Sequence, residues 1–250
     1  MTASNSKGHG MHSPFVFDFI QNVLNNRSHY IPPSDIEKLR EQLLGEDEIV
    51  PITDLGAGSR SGNANDKKVS QLAATALKPR KYAQLLFRLV QHYHPSRIVE
   101  LGTSLGITTA YLSKGDPAAQ LITIEGSPAI AQLARDNFRK LNCTNIELVQ
   151  GDFDVLLPSL LNKLPDIDLA YIDGNHRYHP TINYFNQMLQ KAHNDTILVF
   201  DDIHWSKEME HSWEEIKAHP SVQYTIDIFF LGFVFFRQEF KVKQHFKIRF

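Results

Sequence analysis

The sequence predicts an α/β protein in which a doubly wound, mostly parallel sheet of seven strands follows a helical N-terminal extension. From residue 97 onwards, short apolar segments alternate with amphipathic ones, an order typical of parallel sheets with right-handed crossovers and helices on both faces. Before that point the chain has the pattern of helices and loops. A length of 250 residues accommodates one full-sized domain with an appendage.

The N-terminal extension is predicted over residues 1–78, and it either caps a cleft or builds a homodimer interface. Ser13 and Pro14 begin the first helix, as a capping residue followed by proline. A second helix begins near Ser34, which has capping-box spacing to Glu37, and ends at Gly45. Two more helices are predicted in KKVSQLAATAL and PRKYAQLLFRLVQHY.

The alternating region supplies the sheet and its crossover helices. Strands are predicted at RIVEL, LITIE, IELVQ, DLAYID, TILVFDD, YTIDIFF and FVFFRQ. Helices are predicted from Ile107 and in SPAIAQLARDNFRKL, DVLLPSLL, PTINYFNQMLQKA and KEMEHSWEEIKA. The last two strands should meet at a tight turn at Leu231 and Gly232, and residues 241–250 form a tail or an edge strand. Ligands of such sheets bind beyond the carboxyl ends of the strands, so the functional residues should follow each strand.

Composition limits the classes of partner. The formal net charge of −2 gives no general attraction to nucleic acid or to an anionic membrane. The single cysteine, Cys143, excludes an intrachain disulfide and a zinc site made of cysteines, and it favours a reduced, cytoplasmic setting. The most apolar stretch, residues 226–236, is shorter than the about 20 residues that span a bilayer. Nucleic acid is not excluded by the net charge alone, because a local basic patch can be hidden in that sum.

Two segments resemble nucleotide-binding loops. VELGTSLG, residues 99–106, lies between a predicted strand and a predicted helix, where Gly102 and Gly106 permit a sharp turn and the helix offers free N–H groups. TDLGAGSR, residues 53–60, lacks both neighbours, so the loop at 53–66 is interpreted as a surface linker or a lid. The ligand loop is accordingly predicted at 99–106.

Acidic residues follow the next two strands. Glu125 ends the second strand, where a carboxylate can accept both hydroxyls of a ribose. Asp152 and Phe153 follow the third strand, where an acid beside an aromatic ring can hold and cover an adenine. The dinucleotide fingerprint G-x-G-x-x-G fails, because Ser104 and Ile107 occupy its second and third glycine positions.

Four segments, VELGTSLGITTAYLS, ITIEGSP, VQGDF and YIDGNH, resemble in this order the motifs of class I S-adenosylmethionine-dependent methyltransferases, nearest the catechol and caffeoyl-CoA O-methyltransferase-like branch. The resemblance covers about residues 80–236 and implies a Rossmann-like fold with an antiparallel last strand and a cofactor-binding domain over 79–240. It implies contacts to S-adenosylmethionine from Glu100, Gly102, Thr103, Ser104 and Gly106 at the methionine end, Glu125 at the ribose, Asp152 and Phe153 at the adenine, and also Gly126, Ser127 and Asp173. Glu100 and Asp152 have loop or helix capping as an alternative role.

Carboxylates also follow strands four and five, where Asp173, Asp201 and Asp202 should meet at one edge of the sheet. Three carboxylates repel one another unless they are protonated or neutralised, and oxygen ligands favour Mg²⁺, Ca²⁺ or Mn²⁺. The resemblance implies an Asp and an Asp-Asn pair as metal ligands, so Asp202 departs from the family pattern. The alternative is that these residues are caps or cofactor contacts without an ion.

Two histidines are candidates for the general base. His176 lies three residues after Asp173, where the resembling enzymes place a lysine, and His204 is the second candidate. An imidazole with a pKa near about 6.5 can accept a proton from a hydroxyl at neutral pH. Tyr178 and Trp205 either stack on a flat substrate or contribute to packing.

The sequence thus predicts a cytoplasmic enzyme that transfers a methyl group from S-adenosylmethionine to a hydroxyl of a small molecule with the help of a divalent metal. Two alternatives stay open: a metal-independent methyltransferase acting on nitrogen or on a macromolecule, and a non-catalytic module that only binds the cofactor. An NAD-dependent dehydrogenase is disfavoured by the glycine spacing. The identity of the acceptor is not encoded in any motif of the sequence.

Overall fold

A computed structural model describes residues 13–26, 31–52 and 65–250 of the chain. The predicted glycine loop at 53–60 and residues 1–12 of the extension lie outside the described residues. None of the helices in these described ranges has the length and apolar character needed to cross a membrane.

Among the described residues up to Tyr93, the chain is mostly helical and contains one hairpin. Its elements are α1 (Pro14–Phe19, continued by a π-helical turn Ile20–Leu24), α2 (Ser34–Leu44), β1 (Ile49–Ile52), β2 (Asn65–Lys68), α3 (Val69–Ala76) and α4 (Arg80–Tyr93). Ser13 caps α1 as predicted, since its hydroxyl accepts a bond from the Val16 N–H. The predicted capping box of α2 is wrong, because Ser34 lies inside the helix and Pro33 precedes it without a side-chain bond. The hairpin strands β1 and β2 pair antiparallel and were not predicted.

The C-terminal part has the predicted alternation of strands and helices. Its elements are β3 (Arg97–Leu101), α5 (Ile107–Gly115), β4 (Gln120–Glu125), α6 (Pro128–Lys140), β5 (Ile146–Gln150), α7 (Phe153–Lys163), β6 (Ile167–Ile172), α8 (Tyr178–Leu189), β7 (Ala192–Asp201), α9 (Lys207–Ala218), β8 (Tyr224–Asp227), β9 (Leu231–Phe235) and β10 (Gln244–Lys247). The strand order is β10-β8-β9-β7-β6-β3-β4-β5, with β9 antiparallel to both β7 and β8. The predicted fold class is confirmed, and β10 adds an eighth strand at one edge.

The turn between β8 and β9 differs from the prediction. It lies at Ile228–Phe230, where the Ile228 N–H bonds to the Leu231 carbonyl, and Gly232 lies inside β9 opposite Phe200. A Cβ on Gly232 would come within 2.7 Å of the Trp213 ring, so this glycine permits close packing of α9 on the strand. The glycine was read as a turn residue because a sequence does not reveal which side chain approaches a strand.

The chain divides into two compact units. One contains α1, β6–β10, α8, α9 and almost all of α7, and the other contains α2–α6, β1, β2, β4 and β5, while β3 contributes residues to both. The predicted domain boundaries at residues 78/79 and 240/241 stay predictions.

In the first unit, α1 packs against the antiparallel strand. The rings of Phe15 and Phe235 meet edge to face with centroids 4.9 Å apart, and Phe19 meets Phe233 in the same way at 5.1 Å. Such pairs contribute about 0.5–1.5 kcal/mol each beyond the area they bury. The apolar run that follows Pro14 is thus explained by packing in this unit.

In the second unit, α2 packs against α5. The Tyr111 hydroxyl donates to Glu37 at 2.5 Å, and burial together with this bond raises the Tyr111 pKa. Arg40 bonds to the same carboxylate and to the carbonyl of Lys78, so α2, α5 and the loop before α4 meet at one polar network. This network fixes the position of α5, whose N-terminus follows the predicted ligand loop.

Candidate functional site

The loop between β3 and α5 has the backbone geometry of a tight cradle. Gly102, Ser104 and Gly106 all have positive φ angles of 99°, 49° and 78°. The N–H groups of Gly102 and Thr103 both donate to the carbonyl of Ile124 in the neighbouring strand β4, at 3.1 and 3.3 Å. Left-handed backbone is costly for most side chains, which explains the two glycines that the sequence places here.

Helix α6 holds this loop from one side. The buried Asn137 amide donates to the carbonyl of Leu105 at 2.9 Å. A Cβ on Gly106 would lie 2.5 Å from the Phe138 ring and 3.4 Å from the Cβ of Ala134. A glycine is therefore required at position 106 for two reasons: its positive φ angle and the close approach of α6.

Glu125 joins two loops at the carboxyl end of β4. One carboxylate oxygen accepts the Ser104 N–H at 2.8 Å, and the other accepts the Ser127 N–H at 2.9 Å. A carboxylate has about four acceptor positions, so two backbone bonds do not exhaust its capacity. The side chain is thus held at the place where the sequence predicts a ribose contact, and it fits that role.

Glu100 and Thr103 point into the protein. The fully buried Glu100 accepts bonds from the hydroxyls of Thr109 at 2.5 Å and Thr123 at 2.7 Å. The Thr103 hydroxyl lies 2.6 Å from that of Thr123. These contacts give both residues a role in holding the loop, and their predicted contacts to the methionine end of the cofactor stay predictions.

The loops after β4 and β5 carry the remaining predicted cofactor residues. Ser127 is only 2% exposed, begins α6 without a side-chain cap bond, and its hydroxyl has no hydrogen-bond partner. Gly126 is half-buried, Asp152 is exposed and Phe153 begins α7. A buried hydroxyl without a partner is costly, and a polar atom of a bound ligand would satisfy it. The donor and acceptor groups of this unit therefore fit an adenosyl ligand.

The other unit brings the predicted catalytic residues to one edge. Strands β6 and β7 are parallel, with Ile172 opposite Phe200, so Asp173 follows the end of β6 and Asp201 is the last residue of the neighbouring β7. Asp173 accepts a bond from the Tyr171 hydroxyl at 2.9 Å, and the Nε2 of His176 lies 3.5 Å from its other oxygen. The Asp173–His176 pair predicted from spacing is thus within ion-pair distance.

The three predicted metal ligands do not form a compact set. Asp201 is 1% exposed, and Asp202 has a positive φ of 52° with its N–H bonded to the Phe230 carbonyl. Within the described ranges, the group whose ligand atoms all lie within 4.8 Å of one another is instead Asp166, Asp168 and His193. The described geometry does not fit a preformed site built from Asp173, Asp201 and Asp202.

The Asp166–Asp168–His193 group lies at the opposite ends of β6 and β7 and is already paired. Asp166 bonds to the Arg97 guanidinium, and Asp168 accepts the Arg97 N–H at 2.7 Å. The Nδ1 of His193 accepts the Asp195 N–H at 3.2 Å, so its Nε2 carries the proton that points at Asp168, 2.9 Å away. That nitrogen has no lone pair for a metal in this arrangement. No sequence spacing indicated the group, because its members are brought together by strand pairing.

His204, the second candidate base, has both ring nitrogens engaged. Its Nε2 lies 2.9 Å from Asp227 and its Nδ1 lies 3.3 Å from Glu210. Of the two predicted stacking residues, Tyr178 bonds to Glu215 and its ring stacks on His211 with centroids 4.6 Å apart. Asp227 is not among the predicted site residues, although an acid within the apolar segment YTIDIFF is a detectable signal.

The chain is similar to known proteins over part of its length. A family profile described as a methyltransferase domain matches residues 99–203. Among curated proteins, an uncharacterized protein of Acanthamoeba polyphaga mimivirus is 28% identical over 131 residues, which cover 48% of this chain and 58% of that protein. A protein-L-isoaspartate O-methyltransferase of Bradyrhizobium is 39% identical over 62 residues, covering 25% of this chain and 28% of that enzyme. An O-methyltransferase of Aspergillus hancockii is 27% identical over 48% of each chain.

The chain thus spans between 28% and 58% of the length of these curated relatives. Solved structures match over more of it. An SAH-bound methyltransferase of Podospora anserina superposes with a TM-score of 0.65 at 15% identity, covering 90% of this chain and 97% of that one. An O-methyltransferase of Bacillus cereus in complex with SAH superposes with a TM-score of 0.61 at 20% identity, covering 88% and 97%. At these identities the likeness concerns the fold.

Proposed function

We propose that this chain, whose residues 99–203 match a methyltransferase-domain profile, transfers the methyl group of S-adenosylmethionine to a hydroxyl oxygen of a small molecule. The observation that carries the proposal is Glu125, whose two oxygens accept backbone N–H groups from the loops after β3 and β4. This arrangement supports the proposal because it holds a carboxylate at the end of the second strand of the alternating region, a position from which an acid can accept ribose hydroxyls. The SAH bound in structures of the Bacillus cereus and Podospora anserina proteins supports the choice of cofactor.

Each part of the cofactor has a residue to hold it in this proposal. Glu125 accepts the ribose hydroxyls, the Ser127 hydroxyl bonds to a polar atom of the adenosyl group, and Phe153 covers the adenine. The positive φ angles at Gly102 and Gly106 let the cofactor approach the backbone closely. S-adenosylmethionine supplies an activated methyl group on a sulfonium, so the protein mainly orients the acceptor and excludes water.

In the proposed reaction His176 accepts the proton of the acceptor hydroxyl. The acceptor oxygen forms a bond to the methyl carbon as the carbon–sulfur bond breaks. The electron pair of the broken bond remains on sulfur. The Nε2 of His176 lies 3.5 Å from Asp173, which leaves Nδ1 as the atom that takes the proton. Asp173 then stabilises the imidazolium and keeps the ring oriented, while the Tyr171 hydroxyl holds Asp173 in place.

A metal-independent reaction is the second candidate. It is favoured because the oxygens of Asp173, Asp201 and Asp202 are not gathered as a set among the residues that the structure describes. Divalent-metal assistance stays a prediction from the resemblance, and no step above depends on it. Chelation separates the two, since a metal-independent enzyme keeps its activity in EDTA.

The proposal is tested by calorimetric titration with S-adenosylhomocysteine, with and without Mg²⁺. We expect the wild type to bind S-adenosylhomocysteine and Glu125→Gln to bind it with about 10- to 100-fold lower affinity. The glutamine amide has only one oxygen, so its NH₂ group would face one of the two backbone N–H groups that the carboxylate accepts. Glu147→Gln is the matched control, since Glu147 is exposed on β5. Equal affinities for both variants and the wild type would remove the basis of the cofactor site.

A labelled methyl group identifies the acceptor class. The protein is incubated with methyl-labelled S-adenosylmethionine and a cell extract that has been separated into small molecules and macromolecules. Label in the small-molecule fraction supports the proposal. Label in the macromolecules favours the alternative acceptor, and binding without transfer to either fraction favours a non-catalytic module. A cytoplasmic location and a homodimer stay predictions.

A further inference from the structure

Three large aromatic side chains are exposed at one end of the first unit. They are Trp205 at 73%, Phe229 at 61% and Phe230 at 44% exposure, and together they are called the aromatic surface. The ring of His204 stacks on Phe229 with centroids 5.4 Å apart, and Phe229 meets Phe230 edge to face at 5.0 Å. Exposing rings that could be buried is unfavourable, so a cluster of this kind indicates a binding surface.

The backbone under this surface is strained and firmly held. Phe229 has a φ of 78°, a left-handed conformation that bulky residues rarely adopt. Its N–H donates to the buried Asp227 at 2.8 Å, and the other oxygen of Asp227 lies 2.9 Å from His204. A glycine would occupy this turn at lower cost. A phenylalanine in this costly conformation indicates that its ring serves a purpose at the surface.

The aromatic surface lies at the same end of the sheet as the candidate catalytic pair. Trp205 follows the carboxyl end of β7, and the Phe229–Phe230 turn precedes β9, whose Leu231 lies opposite Asp201. Asp173 follows β6, the parallel neighbour of β7. An acceptor whose hydroxyl reaches His176 would therefore have its remaining atoms near these rings.

The charged residues next to Trp205 in the sequence are mostly acidic. Residues 201–210 contain four carboxylates and one lysine, and Glu210 is exposed beside His204. Asp227 adds another carboxylate, with Lys247 3.7 Å away. Like charges brought together cost free energy, whereas a cation or a neutral group is accommodated. The same carboxylates disfavour an anionic lipid surface.

We infer that the aromatic surface binds the apolar body of the methyl acceptor and that this acceptor is neutral or cationic. The inference rests on the proposed function and narrows its substrate class, because it excludes phosphorylated and carboxylated acceptors. Phe229, Phe230 and Trp205 then determine which acceptors bind, while Asp227 and His204 position the turn that presents the two phenylalanines.

The chain has only two tryptophans, and the second one, Trp213, is buried. The fluorescence of the Trp213→Phe variant therefore comes from Trp205 alone. If Trp213→Phe does not fold, subtracting the fluorescence of Trp205→Phe from that of the wild type gives the signal of Trp205 instead. The probes are phenylbutanol, phenylbutylamine and phenylbutyrate, which share one apolar body and differ in charge. We expect a saturable blue shift with the first two and affinity about tenfold weaker for the anion.

Two variants locate the binding to the rings. Phe229→Gly suits the turn backbone and should lower affinity for phenylbutanol by about fivefold, as should Phe230→Ala. Val242→Ala, which trims an exposed apolar side chain elsewhere in the unit, is the control and should bind like the wild type. No binding by any probe, equal binding of the anion, or an unchanged Phe229→Gly would each overturn the inference.

Other occupants give different results. A blue shift on adding phosphatidylcholine vesicles would overturn the inference in favour of a membrane surface. A shift that depends on protein concentration, with a dimer in light scattering, would overturn it in favour of a second copy of the chain. Failure of the proposed function is measured separately, as loss of S-adenosylhomocysteine binding in the calorimetric titration.

Discussion

Replacing Gly106 by alanine tests the glycine loop at the start of α5. The added Cβ would lie 2.5 Å from Cε1 and 3.0 Å from Cζ of Phe138, closer than unstrained carbon atoms approach. The residue also has a φ of 78°, which an alanine adopts at a cost of about 1–2 kcal/mol. Overpacking a tight contact adds about 1–3 kcal/mol.

The two terms together predict a loss of about 2–5 kcal/mol of stability in Gly106→Ala. For a chain of this size, that lowers Tm by on the order of 10 °C. Moving the loop also displaces the Ser104 N–H from Glu125, so the affinity for S-adenosylhomocysteine should fall. Thermal unfolding with and without this ligand measures both effects.

Gly45→Ala is the matched control. Gly45 ends α2 with a φ of −101°, and a Cβ there would meet only backbone oxygens at 3.7 Å or more. Alanine should be tolerated there and should even stabilise the chain by about 0.4–1 kcal/mol. The double variant Gly106→Ala, Phe138→Leu should recover part of the loss, because leucine removes the atoms nearest to the new methyl group. If Gly106→Ala unfolds like Gly45→Ala and binds the ligand normally, the account of this loop is refuted.

Three further predictions concern the other unit. His176→Asn should reduce methyl transfer by about 100-fold or more without changing the affinity for S-adenosylhomocysteine. The control is His211→Asn, which changes an exposed histidine. A loss of ligand binding in His176→Asn would contradict a role in proton transfer. Phe229→Gly should be more stable to urea than Phe229→Ala by about 1 kcal/mol, the reverse of the usual order, because glycine suits the positive φ. Burial, followed by nearby lysines, lowers the pKa of His219 and of His245. Each of these two imidazoles stays neutral in the folded protein at a pH where it binds a proton in the unfolded chain. Their burial therefore costs no stability above about pH 6.5, and the free energy of unfolding falls as the pH drops below that value. Urea unfolding at about pH 7.5 and about pH 5.5 should show this loss, and the double variant His219→Asn, His245→Asn should show less of it.

The sheet was largely predictable from the sequence because its strands are short, apolar and separated by clear breaks. RIVEL and IELVQ correspond to β3 and β5 residue for residue, and KEMEHSWEEIKA corresponds to α9. Local pattern is sufficient where a short apolar strand is bounded by clear breaks, as for both the buried β3 and the partly exposed edge strand β5, and where each helix is amphipathic. The positions of the glycine loop and of Glu125 were also predictable, since both lie at the carboxyl end of a predicted strand.

The remaining features depend on contacts between distant residues. Gly232 was interpreted as a turn residue, but it lies in a strand because Trp213 needs the space above it. Glu37 had capping-box spacing, yet its carboxylate bonds to Tyr111, which lies 74 residues away in the chain. The inward direction of Glu100 was equally hidden, since its partners Thr109 and Thr123 are on different elements. Spacing along a chain carries no information about such pairs.

Glu100 is the hub of a small polar cluster, with the hydroxyls of Thr109 and Thr123 both directed at it. Removing either hydroxyl alone leaves the buried Glu100 carboxyl with one fewer hydrogen bond, which is more costly than exchanging the whole cluster for hydrocarbon. Evolution can therefore change these positions in concert more readily than singly. Among homologous sequences the acid and its two threonines should appear or disappear together.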